Sequence, residues 1–147
     1  MTMTVTRPAG TPYSRFRWDE AVGIWSARVT PYAGQSLRMR APIKTGALRQ
    51  GIKSREEPSP GALLIIFYTT LAYAPYILGG TRPHVIAAKN AKALRWVAHS
   101  GHGPVMFAKS VKHPGTKPNP FPDRAVGPLG GIISQLFADA VREAMDL

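Results

Sequence analysis

Four histidines are the residues of this chain best suited to bind a metal ion: His84, His99, His102 and His113. The pair His99-x-x-His102 lies across a predicted tight turn, but the chain has no cysteine and no carboxylate near this pair. A structural zinc site needs about four such ligands. We therefore expect the histidines to pack in loops, and we predict no metal and no cofactor.

Catalytic groups are equally sparse. No Asp or Glu occurs in residues 58–122, so paired carboxylates for acid–base hydrolysis are missing from the centre of the chain. Thr45, Ser54 and Ser110 lack the sequence context that activates a nucleophile. Gly79-Gly80-Thr81 lacks the lysine and the spacing of a phosphate-binding loop. We expect no enzymatic activity.

Charge is the strongest compositional signal, with a formal net charge of +11 over 147 residues. Residues 21–55 hold seven Lys or Arg and no acid, and residues 58–122 hold seven more and again no acid. Such a field favours a polyanion or an acidic protein surface, although a solvated basic face with no dedicated partner is the alternative. The candidate residues facing a partner or DNA are Arg82, His84, Lys89, Lys92, Lys109, Lys112, His113 and Lys117, in basic loops predicted at 82–92 and 112–122.

Aromatic residues interleave with these cations, as they do on surfaces that bind nucleic acids. Tyr68, Tyr73, Tyr76, Trp96 and Phe107 are the candidates. Alternate aromatics on a strand usually face the core, so we expect Trp96 to be a packing residue. A free-standing basic nucleic-acid-binding module therefore remains an alternative function.

Helices are predicted at both ends of the chain. Trp18, Val22, Trp25 and Val29 form an apolar helical stripe, after which Thr30-Pro31 has the pattern of an N-cap and a first-turn proline. We therefore predict a second helix from this point to Met39. A C-terminal helix is predicted from a stripe at Ile133, Leu136, Phe137, Ala140, Val141 and Ala144, separated from the preceding turn by Pro128, Gly130 and Gly131.

The middle of the chain predicts strands. Residues 52–57 and 62–70 flank a Pro-Ser-Pro-Gly turn and form a predicted hairpin, and 93–99 with 105–111 form a second. Thr69, Thr70 and Pro75 interrupt the apolar stretch 62–78, which favours a buried strand and a short helical turn over a membrane span. We predict an α+β fold: a mostly antiparallel sheet of about four strands packed against N-terminal and C-terminal helices.

The chain length suits one domain, which we place at residues 16–147. Residues 1–15 are rich in Pro and Gly, and we predict a flexible N-terminal arm. This segment has no apolar signal-peptide core, and the lack of cysteine fits assembly in a reducing cytoplasm.

Three phrases of the sequence occur in a distinctive order and spacing. The first is Ala-Pro-Ile-Lys-Thr-Gly-Ala-Leu-Arg at 41–49, with Pro42, Thr45, Gly46 and Leu48 as its structural residues and a positive backbone angle expected at Gly46. The second is Tyr73-Ala74-Pro75-Tyr76 followed by Gly80-Thr81. The third runs from Pro83 through the lysines and Trp96 to Phe107-Ala108-Lys109 and 113–121, and it includes Gly115.

Over residues 16–126 these phrases resemble the tail-completion proteins of long-tailed double-stranded-DNA phages, which join head to tail as neck or minor tail proteins. Lys44 stands where the family often has Asp, and Ala87-Ala88 where it often has Arg-Pro. The resemblance implies a non-enzymatic virion protein, assembled in the cytoplasm of the bacterial host, that completes the tail. The implied partners are copies of itself in a ring, often six-fold, together with head–tail connector, tail terminator or tail tube proteins, DNA in the channel, and no membrane.

Overall fold

The computed structural model describes residues 1–6, 17–59, 62–97 and 102–145. Within these ranges the α+β class and the antiparallel strand pairing predicted from the sequence are confirmed. The elements, in chain order, are β1 Thr2–Thr6, α1 Trp18–Arg40, α2 Ala47–Gly51, β2 Lys53–Ser59, β3 Ala62–Tyr68, α3 Ala74–Gly79, β4 His84–Ala87, β5 Leu94–Val97, β6 Val105–Ala108, β7 Ser110–His113, α4 Phe121–Val126, a 3₁₀ turn Gly127–Leu129 and α5 Gly130–Ala144.

The chain divides into two compact units where the sequence predicts a single domain from residue 16. The helical unit comprises Met1–Ala74 and Pro120–Leu147, and the ribbon unit comprises Pro75–Asn119. The strands, predicted as one sheet of about four, form a three-stranded sheet in the helical unit and two two-stranded sheets in the ribbon unit.

Helix α1 is continuous, so the prediction of a helix break at Thr30-Pro31 was wrong. Pro31 lies inside the helix and is exposed. The apolar stripe continues past it at the same spacing, with Val29 and Ala33 at 0% exposure and Leu37 at 3%. Burial of this uninterrupted face outweighs the local cost of the proline.

Helix α5 packs along α1, and its predicted apolar stripe provides the contact. The ring of Phe137 makes edge-on contacts with Trp18 and Trp25, each at 6.1 Å between centroids. The indole Nε1 of Trp25 donates to the carbonyl of Ile133 at 3.2 Å. Helix α5 begins at Gly130, so Gly130 and Gly131 belong to the helix and not to the break that the sequence predicts before it.

Strand β3 is the central strand of the helical unit and pairs with β1 on one side and β2 on the other. The predicted hairpin is therefore present, with Glu56 opposite Ile65. Leu63, Ile65 and Phe67 are buried, whereas Ala62, Leu64 and Ile66 are half-buried and Tyr68 is exposed. The short helical turn predicted after this strand is also present as α3.

Strand β1 differs from the predicted flexible arm. Met3 lies opposite Ile65, and the amide of Phe67 donates to the carbonyl of Met1 at 2.8 Å. Backbone pairing along the apolar β3 thus fixes Thr2–Thr6, while residues 7–15 of the predicted arm lie outside the described residues.

The ribbon unit consists of α3 after Ala74 and two antiparallel ribbons, β4–β7 and β5–β6. The second predicted hairpin is only partly as expected, because β6 ends at Ala108 and Ser110–His113 pairs with β4 instead. No described residue of this unit is buried. No described helix of the protein is long and apolar enough to cross a membrane.

Candidate interaction surface

The first sequence phrase closes the C-terminal end of α1. The guanidinium of Arg49 donates through Nε to the carbonyl of Ala41 at 3.2 Å and through Nη2 to that of Met39 at 2.9 Å. Carbonyls in the last turn of a helix lack intrahelical partners, and Arg49 satisfies two of them. The arginine at the end of the phrase therefore binds back to its beginning.

The turn inside this phrase needs a glycine. Gly46 precedes α2 with φ of 80°, as the sequence predicts. The amide of Ala47 donates to the Thr45 hydroxyl at 3.4 Å, Leu48 is 4% exposed, and Pro42 is half-buried. These motif residues are structural parts of the helical unit.

The second and third phrases meet in the ribbon unit through their Gly-Thr dipeptides. The amides of Thr81 and Thr116 each donate to the carbonyl of the other, at 3.0 and 3.1 Å. Their hydroxyls lie 3.1 Å apart, and the Thr116 amide also lies 3.0 Å from the Thr81 hydroxyl. We call this bridge the Gly-Thr clasp, comprising residues 80–81 and 115–116.

Both glycines of the clasp have left-handed backbone angles, with φ of 69° at Gly80 and 85° at Gly115. A Cβ at Gly80 would overlap the carbonyl oxygen of Thr116, and one at Gly115 would overlap that of Thr81. Only glycine meets both the conformational and the steric requirement at these positions. The clasp therefore joins two phrases that are 35 residues apart in the chain.

His84 and His113 lie next to the clasp, directly opposite each other in the β4–β7 ribbon. Their rings are 5.0 Å apart between centroids and tilted by 31°. Nδ1 of His113 accepts from the Gly115 amide at 3.1 Å, whereas Nδ1 of His84 lies 2.8 Å from the Arg82 carbonyl and must donate to it. Both histidines therefore have positioning roles in the ribbon.

An open pocket of about 560 Å³ lies on this part of the ribbon unit, and its lining contains two of the predicted basic residues. The lining residues are Tyr76, Gly80, Thr81, Arg82 and His84. Arg82 gives the pocket a positive charge, but no group of three or more His, Cys or acidic residues that could hold a metal occurs among the described residues. His99 lies outside the described residues.

The remaining predicted cations lie on strand β7 and in connecting segments. Lys112 is paired with Val85, so it lies on the face of the β4–β7 ribbon opposite the His84–His113 pair. The others are exposed in connecting segments: Lys89, Lys92, Lys109 and Lys117. The predicted basic loops are also partly strand, because β4 lies within 82–92 and β7 ends within 112–122.

Apolar exposure is the feature of the ribbon unit that sequence reasoning missed. Trp96, predicted to be a packing residue, is 37% exposed. Tyr73, at the end of the helical unit, is 41% exposed. The exposed large apolar residues of the ribbon unit are Tyr76, Leu78, Val85, Ile86, Trp96, Val105, Met106 and Phe107.

The repeated Gly-Thr dipeptide is the sequence signal that points to the clasp. Gly-Thr occurs within each of the two later phrases, and the threonines Thr81 and Thr116 carry the bridge although neither was selected as a site residue. Comparison of the chain with protein-family models, with curated proteins and with solved structures found no match.

Proposed function

We propose that this chain is a non-enzymatic structural protein of a virion, which completes a phage tail and helps join it to the DNA-filled head as part of a ring. The proposal rests on the resemblance of the three sequence phrases and on one structural observation. Every buried apolar side chain among the described residues belongs to the helical unit, whereas the ribbon unit exposes its apolar side chains.

The ribbon unit is built to present a surface. A domain that folds for itself buries its apolar side chains, whereas a contiguous exposed apolar surface marks a site of association. The ribbon unit keeps its shape through strand pairing, the Gly-Thr clasp and the contact between the two histidine rings, which all lie in or beside the second and third phrases. The residues that carry the resemblance thus hold the ribbon unit in a shape that can contact other proteins.

The distribution of charge supports the same role. The ribbon unit has seven Lys or Arg and no acid, while the helical unit has the remaining twelve Lys or Arg and all eight acids. A surface that is both apolar and positively charged suits binding to acidic parts of a larger assembly near DNA. A ring of identical chains would also require heterologous contacts, in which one patch of each copy meets a different patch of its neighbour.

Two measurements on the full chain test this function. Native mass spectrometry of the purified protein is expected to show a closed ring, and antibody labelling of purified virions is expected to mark the neck by electron microscopy. A protein that is absent from finished particles, or that is found only in the capsid lattice or the baseplate, would contradict the proposal.

The second candidate function is a free-standing nucleic-acid-binding module, which the acid-free ribbon unit favours. It predicts duplex or single-strand binding whose affinity falls steeply with salt, because several phosphates are neutralised. Titration of the full chain with labelled DNA at increasing salt separates the two functions. Only weak, millimolar binding at about 50 mM salt would rule the module out.

A further inference from the structure

The β5–β6 ribbon carries apolar side chains on both of its faces. Residues paired across an antiparallel ribbon share a face, and neighbours along a strand alternate. The register pairs Trp96 with Met106 and Arg95 with Phe107. One face therefore comprises Leu94, Trp96, Met106 and Ala108, and the other comprises Arg95, Val97, Val105 and Phe107.

Each face exposes large apolar side chains among the described residues. Trp96 is 37% and Met106 42% exposed on the first face, and Phe107 is 64% and Val105 42% exposed on the second. A ribbon that only lies on a domain surface would have one apolar and one polar face, as half-buried antiparallel strands do. Two apolar faces suit a ribbon that enters a cleft and contacts both walls.

Positive charge surrounds the base of this ribbon. Lys92 lies two positions before β5 and Lys109 directly follows β6, while Arg95 lies on the ribbon itself. The whole ribbon unit contains no carboxylate that could pair with these cations. A binding site for the ribbon is therefore favoured if it has apolar walls and carboxylates at its rim.

We propose that the β5–β6 ribbon is a docking arm that inserts into an apolar, acid-rimmed cleft of a different protein. Among the described strands, β5 and β6 pair with each other and with no third strand, so the two outer edges of the ribbon are open to a further strand. The walls of the cleft can extend the ribbon by strand pairing, in the manner of β-augmentation. The docking arm goes beyond the proposed virion function and does not depend on it.

A second copy of this chain is a poorer partner for the arm. Its helical unit has an apolar groove of about 320 Å³ that includes Tyr32, Met39 and Ile132, but the lining also includes Arg40 and no acid. Arg40 would repel the lysines at the base of the ribbon. Four of the acids of the helical unit also form ion pairs with arginines already: Glu20, Glu57, Asp139 and Glu143.

Nucleic acid is also a poorer partner for this ribbon. Bases can stack on Trp96 and Phe107, and phosphates can pair with Arg95. Val97, Val105 and Met106 offer neither interaction. Aliphatic side chains occupy both faces. A protein cleft covers such side chains, whereas a polyanion leaves them in water.

Defined peptides test the docking arm with the full-length protein. The probe is a labelled peptide of about twelve residues that alternates Val and Glu, which represents one acid-rimmed apolar wall. It is expected to bind at least about tenfold more tightly than a Ser/Glu peptide of equal charge, and than a Val/Lys peptide. Equal binding of the Val/Glu and Ser/Glu peptides would overturn the proposal, because charge alone would then explain the affinity.

Substitutions on both faces of the ribbon locate the binding. Trp96→Ser combined with Phe107→Ser is expected to weaken Val/Glu binding about tenfold or more. The control combines Met39→Ser with Ile43→Ser. Both native side chains are 65% exposed and lie in the helical unit, so we expect this control to leave Val/Glu binding unchanged. An equal loss in the control, or tighter ribbon-dependent binding of duplex DNA of the same charge, would refute the docking arm.

A measurement on the unaltered chain guards against misfolded variants. Bound Val/Glu peptide is expected to slow peroxide oxidation of Met106 several-fold and to leave that of Met39 unchanged. Equal protection of both methionines would contradict docking on the ribbon. If the protein is found at the virion neck but fails these peptide tests, the proposed virion function stands and the docking arm is refuted. If it passes the peptide tests but is absent from virions, the docking arm stands and the virion function is refuted.

Discussion

Gly80 and Gly115 occupy equivalent positions on the two sides of a single antiparallel bridge. Each has a left-handed backbone angle, and a Cβ on either one would overlap the carbonyl of the threonine that follows the other. Thr81 and Thr116 exchange backbone hydrogen bonds at the centre of this arrangement. The ribbon unit lacks a buried core among its described residues, so this backbone contact carries much of its order.

Gly80→Ala is expected to open the Gly-Thr clasp. The left-handed angle alone costs a residue with a Cβ about 1–2 kcal/mol, and the overlap with the Thr116 carbonyl adds to that. Amide hydrogen exchange at Thr81 and Thr116 should therefore accelerate about thirtyfold, the factor that corresponds to 2 kcal/mol. Gly79→Ala is the matched control, because a Cβ there meets nothing within 4 Å and no left-handed angle is required. Unchanged exchange in Gly80→Ala would refute the role of the clasp.

Gly46→Val isolates backbone strain from steric overlap. Gly46 has φ of 80°, but the nearest atom to an added Cβ is the Gln50 side chain at 3.9 Å. We expect the free energy of unfolding in urea to fall by about 2 kcal/mol, since a β-branched residue tolerates this angle poorly. Gly46→Asn should cost less, because Asn adopts left-handed angles more readily. Equal stability of the Val and Asn variants would contradict a strain mechanism.

Local pattern was sufficient to predict α5 and the β2–β3 hairpin of the helical unit. Strand β3 combines an apolar run with turn signals before it, and its pairing with β2 was predicted from this pattern. The break at Pro31 was not correct, because a cap pattern describes only neighbouring residues. It does not weigh the burial that Ala33 and Leu37 contribute on the same stripe.

Pro31→Ala tests that explanation. Pro31 lies inside α1 and deprives the carbonyl of Ala27 of its helical hydrogen bond. We expect the substitution to raise the free energy of unfolding by about 2 kcal/mol, after allowing for the greater freedom of the unfolded chain. Gln35→Ala, also exposed on α1, should change it by less than about 0.5 kcal/mol. A loss of stability in Pro31→Ala would show that α1 needs the proline for its packing.

The surface of the ribbon unit was less predictable than the core of the helical unit. The clasp joins residues separated by 35 positions, and no local periodicity reports such a pairing. Trp96 was expected to pack because strand aromatics usually face a second layer, but no described residue of the ribbon unit is buried. The sequence identified the cations individually. The strand register then shows that Lys112 and His113 lie on opposite faces of the β4–β7 ribbon.

Arg49→Ala tests the closure of the first phrase. Its guanidinium donates hydrogen bonds to the carbonyls of Met39 and Ala41 at the end of α1, and the substitution removes both hydrogen bonds. Hydrogen bonds from a charged donor contribute about 1.5–3 kcal/mol when solvent is partly excluded, and Arg49 is half-buried. We expect the free energy of unfolding in urea to fall by about 2 kcal/mol.

Arg49→Lys separates the geometry of this contact from its charge. Lysine keeps the positive charge but lacks the fork that reaches the two carbonyls of Met39 and Ala41 together, so it should recover only about half of the loss. Lys44→Ala, exposed in the same phrase, should change stability by less than about 0.5 kcal/mol. Full recovery by lysine would mean that charge near the C-terminus of α1 is sufficient. A loss in Lys44→Ala as large as that in Arg49→Ala would mean that the phrase stabilises the helical unit by its overall charge rather than through these two hydrogen bonds.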